Sequence, residues 1–72
     1  IGFKQVELIT QDTLNIGSLS GVQNFEQKGN HYHFLYSGNA NELIKLLSAI
    51  NVSSVQIEEP ELETVFMHFF KQ

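Results

Sequence analysis

His31-Tyr32-His33 sets two imidazoles two residues apart, a spacing that puts both on one face of a strand. Glu26 precedes them across Gly29-Asn30. Two imidazole nitrogens and a carboxylate form a donor set that zinc accepts. His31, His33 and Glu26 are therefore the candidate metal ligands. The spacing also puts them near a hairpin end, where little surrounds a ligand to orient it, so the expectation is solvated side chains and no resident metal. Glu58, Glu59, Glu61 and Glu63 form the other titratable cluster. They read as a wet strand end followed by a helix start, where negative charge meets the positive end of the helix dipole. The stretch SGNAN at 37–41 holds one glycine ahead of a helix. A phosphate cradle needs a longer glycine loop closing on Lys and Ser or Thr. With no cysteine and no Ser-His-Asp set in evidence, no catalytic residue is expected.

Length and charge narrow the classes further. Seventy-two residues make one domain, 1–72. A chain of this size buries only about 60% of its unfolded surface. Four lysines, no arginine and eight acids give a net charge of −4. Nucleic-acid affinity rests on Lys and Arg against phosphates, so nucleic acid is not an expected partner. The aromatic set Tyr32, Phe34 and Tyr36 accordingly reads as core rather than as a base-stacking platform. No apolar run approaches the about 18 residues of a membrane span. The chain begins on Ile1 rather than Met, which suggests a piece of a longer protein.

The elements that position these residues follow from periodicity. Residues 3–10 alternate as a strand, with Val6 and Leu8 on one face and Phe3 and Ile9 on the other. In QDTLNIGSLSG, Asp12 or Thr13 caps a short turn holding Leu14, and Gly17 and Gly21 break it. Residues 22–28 and 31–37 flank Gly29-Asn30, a two-residue hairpin signal. That register sets Lys28 opposite His31, Glu26 opposite His33 and Phe25 opposite Phe34. Phe25, Tyr32, Phe34 and Tyr36 then share the core face, and Asn24, Glu26, His31 and His33 the wet one. Residues 40–50 carry Leu43, Leu46, Leu47 and Ile50 at helical spacing. Asn39 caps that helix and Asn51 ends it in the left-handed conformation. Residues 52–58 form a strand with Val55 and Ile57 inward. Pro60 then opens a last helix as its first residue. Its stripe of Leu62, Val65, Phe66, Phe69 and Phe70 is expected to be buried, against the sheet's open face, at an edge or on a neighbour, with Lys71 at the far end of the dipole. Met67 and one of Phe69 and Phe70 exceed what so small a domain can bury, and such surface marks docking. The order β-α-β-β-α-β-α predicts an α+β, ferredoxin-like βαββαβ fold with a four-stranded antiparallel sheet, two helices and an added C-terminal helix.

The segment IEEPELETVFMHFF, 57–70, resembles the closing motif of bacterial ABC transporter ATP-binding proteins. That motif runs Pro-x-Leu-Glu-x, then Ile or Val, then Phe. Pro60, Leu62, Glu63, Val65 and Phe66 match it, while Glu61 stands where Ser is common. The stretch from Leu19 to Val52 is similar to the preceding part of the same accessory domain. The resemblance implies a non-catalytic C-terminal domain that regulates or stabilises an ATPase pair. Its implied partners are the N-terminal nucleotide-binding domain of the same chain, a second ATPase subunit and membrane permease subunits. The location it implies is cytoplasmic, at the inner face of the membrane. ATP and Mg would belong to the parent chain, and this segment would hold no cofactor. LSGVQ at 19–23 only superficially resembles the family's signature loop. The rival expectation is a stand-alone amino-acid sensor of ferredoxin-like type, with SGNAN as its ligand loop.

Overall fold

Strand alternation decides which side of the sheet becomes the core. Val6 and Leu8 of the first strand and Tyr32, Phe34 and Tyr36 of the third point to one side and are all buried. The computed structural model describes residues 2–70, without the side chains of His68 and Phe69. Along them run β1 (Lys4–Thr10), a single 3-10 turn (Ile16–Ser18), β2 (Val22–Lys28), β3 (His31–Tyr36), α1 (Ala40–Ser48), β4 (Val52–Glu58) and α2 (Leu62–Phe70). The sheet order is β2-β3-β1-β4, antiparallel throughout. This is the ferredoxin-like α+β order, with a 3-10 turn in the place of its first helix. The expected place of Lys71 lies outside the described residues.

The crossover after β1 departs from expectation in its details. Leu14 precedes the 3-10 turn rather than sitting in it, and Leu14 and Leu19 flank the turn and reach the core. Asn15, not Asp12 or Thr13, stands at the turn's start, without a side-chain cap. Asp12 is spent elsewhere: its Oδ2 accepts from the Asn51 amide at 2.8 Å. The buried Thr10 hydroxyl donates to the Asn51 carbonyl at 2.7 Å and accepts from the Asp12 amide at 3.1 Å. This clamp ties the end of β1 to the entry of β4. Asn51 therefore has no part in a left-handed helix end. Instead α1 stops at Ala49, which keeps right-handed angles (φ −87, ψ −5).

The hairpin forms about Gly29-Asn30, with Lys28 opposite His31 and Glu26 opposite His33. Gly29 alone of the two takes positive φ, +61, the pattern of a type II′ turn. Further along, the register slips between Gln23 and Glu26. Asn24 and Phe25 together face Phe34, and Asn24 adopts φ +55, which Asn tolerates better than most residues. Phe25 is thus not in simple one-to-one pairing with Phe34. The bulge restores phase: Val22 comes opposite Tyr36 and packs against the core, although a strict period of two puts it on the wet side.

α1 is started by Asn39, whose side-chain oxygen accepts from the Asn41 and Glu42 amides at 2.8 and 3.2 Å. Leu43 is buried, and Leu46, Leu47 and Ile50 pack against the core. β4 is less covered than its pattern implies. Val55 and Ile57 lie opposite Leu8 and Val6, hence on the core face, yet both stay exposed. The reason is position: β4 is an edge strand, and one helix cannot cover it and the centre of the sheet together.

Candidate interaction surface

α2 is the element whose side chains are most out of place in water. It begins at Leu62, so Pro60 precedes it rather than opening it. The Glu61 carbonyl accepts the first helical bond, from the Val65 amide at 3.0 Å, and Glu63 lies in the first turn. Leu62, Phe66 and Phe70 recur every four residues and form one ridge along the helix. They are 83%, 56% and 71% exposed, and Met67 beside them is 43% exposed. Phe66 and Phe70 touch, ring centroids 4.8 Å apart. The expected burial therefore fails at Leu62 and Phe66, while the exposure of Met67 and Phe70 agrees with the expectation that Met67 and one of Phe69 and Phe70 stay uncovered. Only Val65 and Thr64 are half-buried. Phe69 and His68 side chains lie outside the description.

Leu35 and Phe3 are buried although they lie on the side of the sheet away from the main core. Glu58 pairs with Gln5, which pairs with Leu35. Three residues separate Glu58 from α2, a reach of about 10 Å. α2 thus starts within range of that small satellite, and the Lys4 ammonium pairs with Glu59 on the way. Among the described residues, Phe3 and Leu35 are the buried side chains on this side, and Leu62, Phe66 and Phe70 of α2 stay exposed.

The rest of that face is mixed, with Ile9 among polar side chains. Glu26, His33, Glu7 and Gln56 stand side by side across the four strands. They line an open concavity of ≈390 Å³ together with Lys28 and His31. His31, His33 and Glu26 share this face, with His31 and Glu26 exposed and His33 half-buried. Among the described residues no three His, Asp or Glu side chains are grouped closely enough to hold a metal.

The SGNAN loop is occupied by its own structure. The Ser37 amide donates to the Gly21 carbonyl at 2.9 Å, and the Asn39 carbonyl accepts from the Tyr36 hydroxyl at 2.6 Å. The Asn39 side-chain oxygen caps α1, and the Ser37 hydroxyl donates to the Gly21 carbonyl at 3.5 Å. No family model, curated protein or solved structure matches the chain. No helix among the described residues is long and apolar enough to cross a membrane.

Two tests arise from these surroundings. Phe66→Gln is expected to change the stability of the isolated chain by less than about 0.5 kcal/mol, as for other exposed positions; urea unfolding checks it. A larger loss would mean that Phe66 is structural. The second concerns Tyr36, whose hydroxyl is held above its ordinary pKa by burial and then by the nearby charge of Glu42. The folded state therefore favours the neutral phenol. That contribution is complete below the unfolded value of about 10 and is lost as pH rises through the folded value. Alkaline unfolding should be steeper for the wild type than for Tyr36→Phe, as followed by circular dichroism above pH 10.

Proposed function

We propose that this chain is a non-catalytic accessory domain of an ABC transporter ATP-binding subunit, which docks through α2 and regulates or stabilises the ATPase pair. The observation that carries the proposal is the coincidence of motif and surface. Leu62 and Phe66, two of the matched motif positions, are the side chains that the fold leaves in water. An apolar ridge this exposed is unusual on a small independent domain. Pro60, Glu63 and Val65 have local work instead: the helix entry, its dipole and the half-buried side. In this proposal the parent chain supplies ATP and Mg chemistry, and the partners of the ridge are its nucleotide-binding domain and the second ATPase subunit. Phe69 and Phe70 at the end of α2, with Met67, would widen the contact.

The experiment is truncation. Deleting residues equivalent to 1–72 from the intact subunit should weaken dimerisation and alter ATPase activity and transport. Unchanged values for all three would end the regulatory role.

A further inference from the structure

The sheet ends in two edges that are built differently. β2 carries a bulge at Asn24-Phe25 and, beyond it, Glu26 and Lys28. Bulges and charges of this kind discourage pairing with another chain. β4 has neither lysine nor proline. Its one irregularity is Ser53 at the start, where the register passes from Ser54 opposite Ile9 to Val52 opposite Thr10. From Ser54 to Glu58 it is regular. Among the described residues β1 is the sole strand paired with β4, so the outer row of amides and carbonyls is open. Beside it, Ile44 of α1 and Ile57 of β4 are 58% and 49% exposed and line a shallow apolar recess of ≈230 Å³.

We propose that the outer edge of β4 pairs with the same edge of a second copy of this chain, antiparallel and centred on Gln56. The sequence of the strand argues for this occupant. About Gln56, antiparallel pairing sets Val55 opposite the second copy's Ile57, and Ile57 opposite its Val55. Both pairs fall on the face that carries Ile44, so the two exposed recesses meet across the two-fold axis. Glu58, the single charge on the strand, then faces Ser54 and not another Glu58. Parallel pairing would stack like charges, which is unfavourable. Stable dimers bury about 800 Å² per partner. The strand edge needs the Ile44, Val55 and Ile57 side chains of both copies to approach that, so the dimer is expected to be concentration-dependent. This pairing does not rest on the transporter proposal, because it uses β4 and not α2.

A mixture of isotope-labelled and unlabelled 72-residue chain tests it by filtered NMR. The expected result is an interchain contact between Val55 and Ile57 that strengthens with concentration. Absence of any interchain contact up to the solubility limit would overturn the proposal, as would contacts confined to α2 or β2. Sedimentation gives a second readout. The apparent mass should rise from 8.2 kDa towards twice that value. Ile57→Lys should remove the rise, whereas Phe66→Gln should retain it. A dimer that survives folded Ile57→Lys contradicts the pairing. If circular dichroism shows that this variant is unfolded, the wild-type NMR contact decides alone.

Discussion

Replacing Phe34 with Ala is expected to lower the unfolding free energy by about 3–5 kcal/mol. Phe34 is 0% exposed and sits on β3, a central strand of the sheet. It faces Val6 of β1 on one side and the Asn24-Phe25 bulge on the other, with the Phe25 ring 6.2 Å away. Backbone hydrogen bonds on both flanks hold β3 in place, so the site cannot collapse readily around a missing ring. That places the cost towards the upper part of the range. A domain of this length has a total stability of about 4–11 kcal/mol, so the variant should be substantially unfolded near its wild-type melting temperature. Thermal and urea unfolding by circular dichroism check this. Phe25→Ala, at an exposed position on the edge strand, should cost less than half as much.

Adding one methyl group at Gly21 or Gly38 is expected to be nearly as damaging. Gly21 has φ +95, and a Cβ there would stand 2.6 Å from the Gly38 amide nitrogen and 2.9 Å from its Cα. A Cβ on Gly38 would stand 2.5 Å from the Ser20 carbonyl and 2.6 Å from the Tyr36 hydroxyl. Both encounters involve backbone, which cannot swing aside as a long side chain can. The two glycines let the start of β2 close on the end of β3, a contact held by the Ser37 amide and the Gly21 carbonyl. Left-handed backbone costs an L-residue about 1–2 kcal/mol, and overpacking adds about 1–3. Gly21→Ala carries both costs and is expected to lose about 2–5 kcal/mol. Gly38→Ala carries the second and should also break the Tyr36–Asn39 hydrogen bond. Gly29→Ala is the control: its φ is positive, but nothing lies within 4 Å of the added carbon. It should cost only the backbone contribution, measured by the same urea titration.

These particulars show where the sequence was legible. The Gly29-Asn30 hairpin, the aromatic face of β3 and the Asn39 cap were readable because each depends on a few adjacent residues. The sheet order followed from the succession of those elements. The Asn24 bulge was not readable, because one residue in left-handed geometry reverses the face of every side chain before it. Val22 reached the core by that device alone. Asp12 and Asn51 looked like helix-end residues, since such residues usually are. Their true partners lie across the fold, 39 positions apart, beyond the reach of local pattern. Most consequential is α2. Periodicity shows that a ridge is apolar, but not whether this domain has anything left to cover it. Leu62 and Phe66 therefore read as core in sequence and stand in water in the structure. The candidate metal set reveals a similar limit: pairing brings His33 beside Glu26 and Glu7, yet strand neighbours need not converge on one point.

The central claim is that this ridge belongs against a partner. Amide hydrogen exchange across 62–70 tests it most directly, compared between the isolated chain and the assembled ATPase subunit that would carry it. Slower exchange throughout α2 in the assembly, reversed by Phe66→Gln, is the predicted result. Equal exchange in the two states would contradict it.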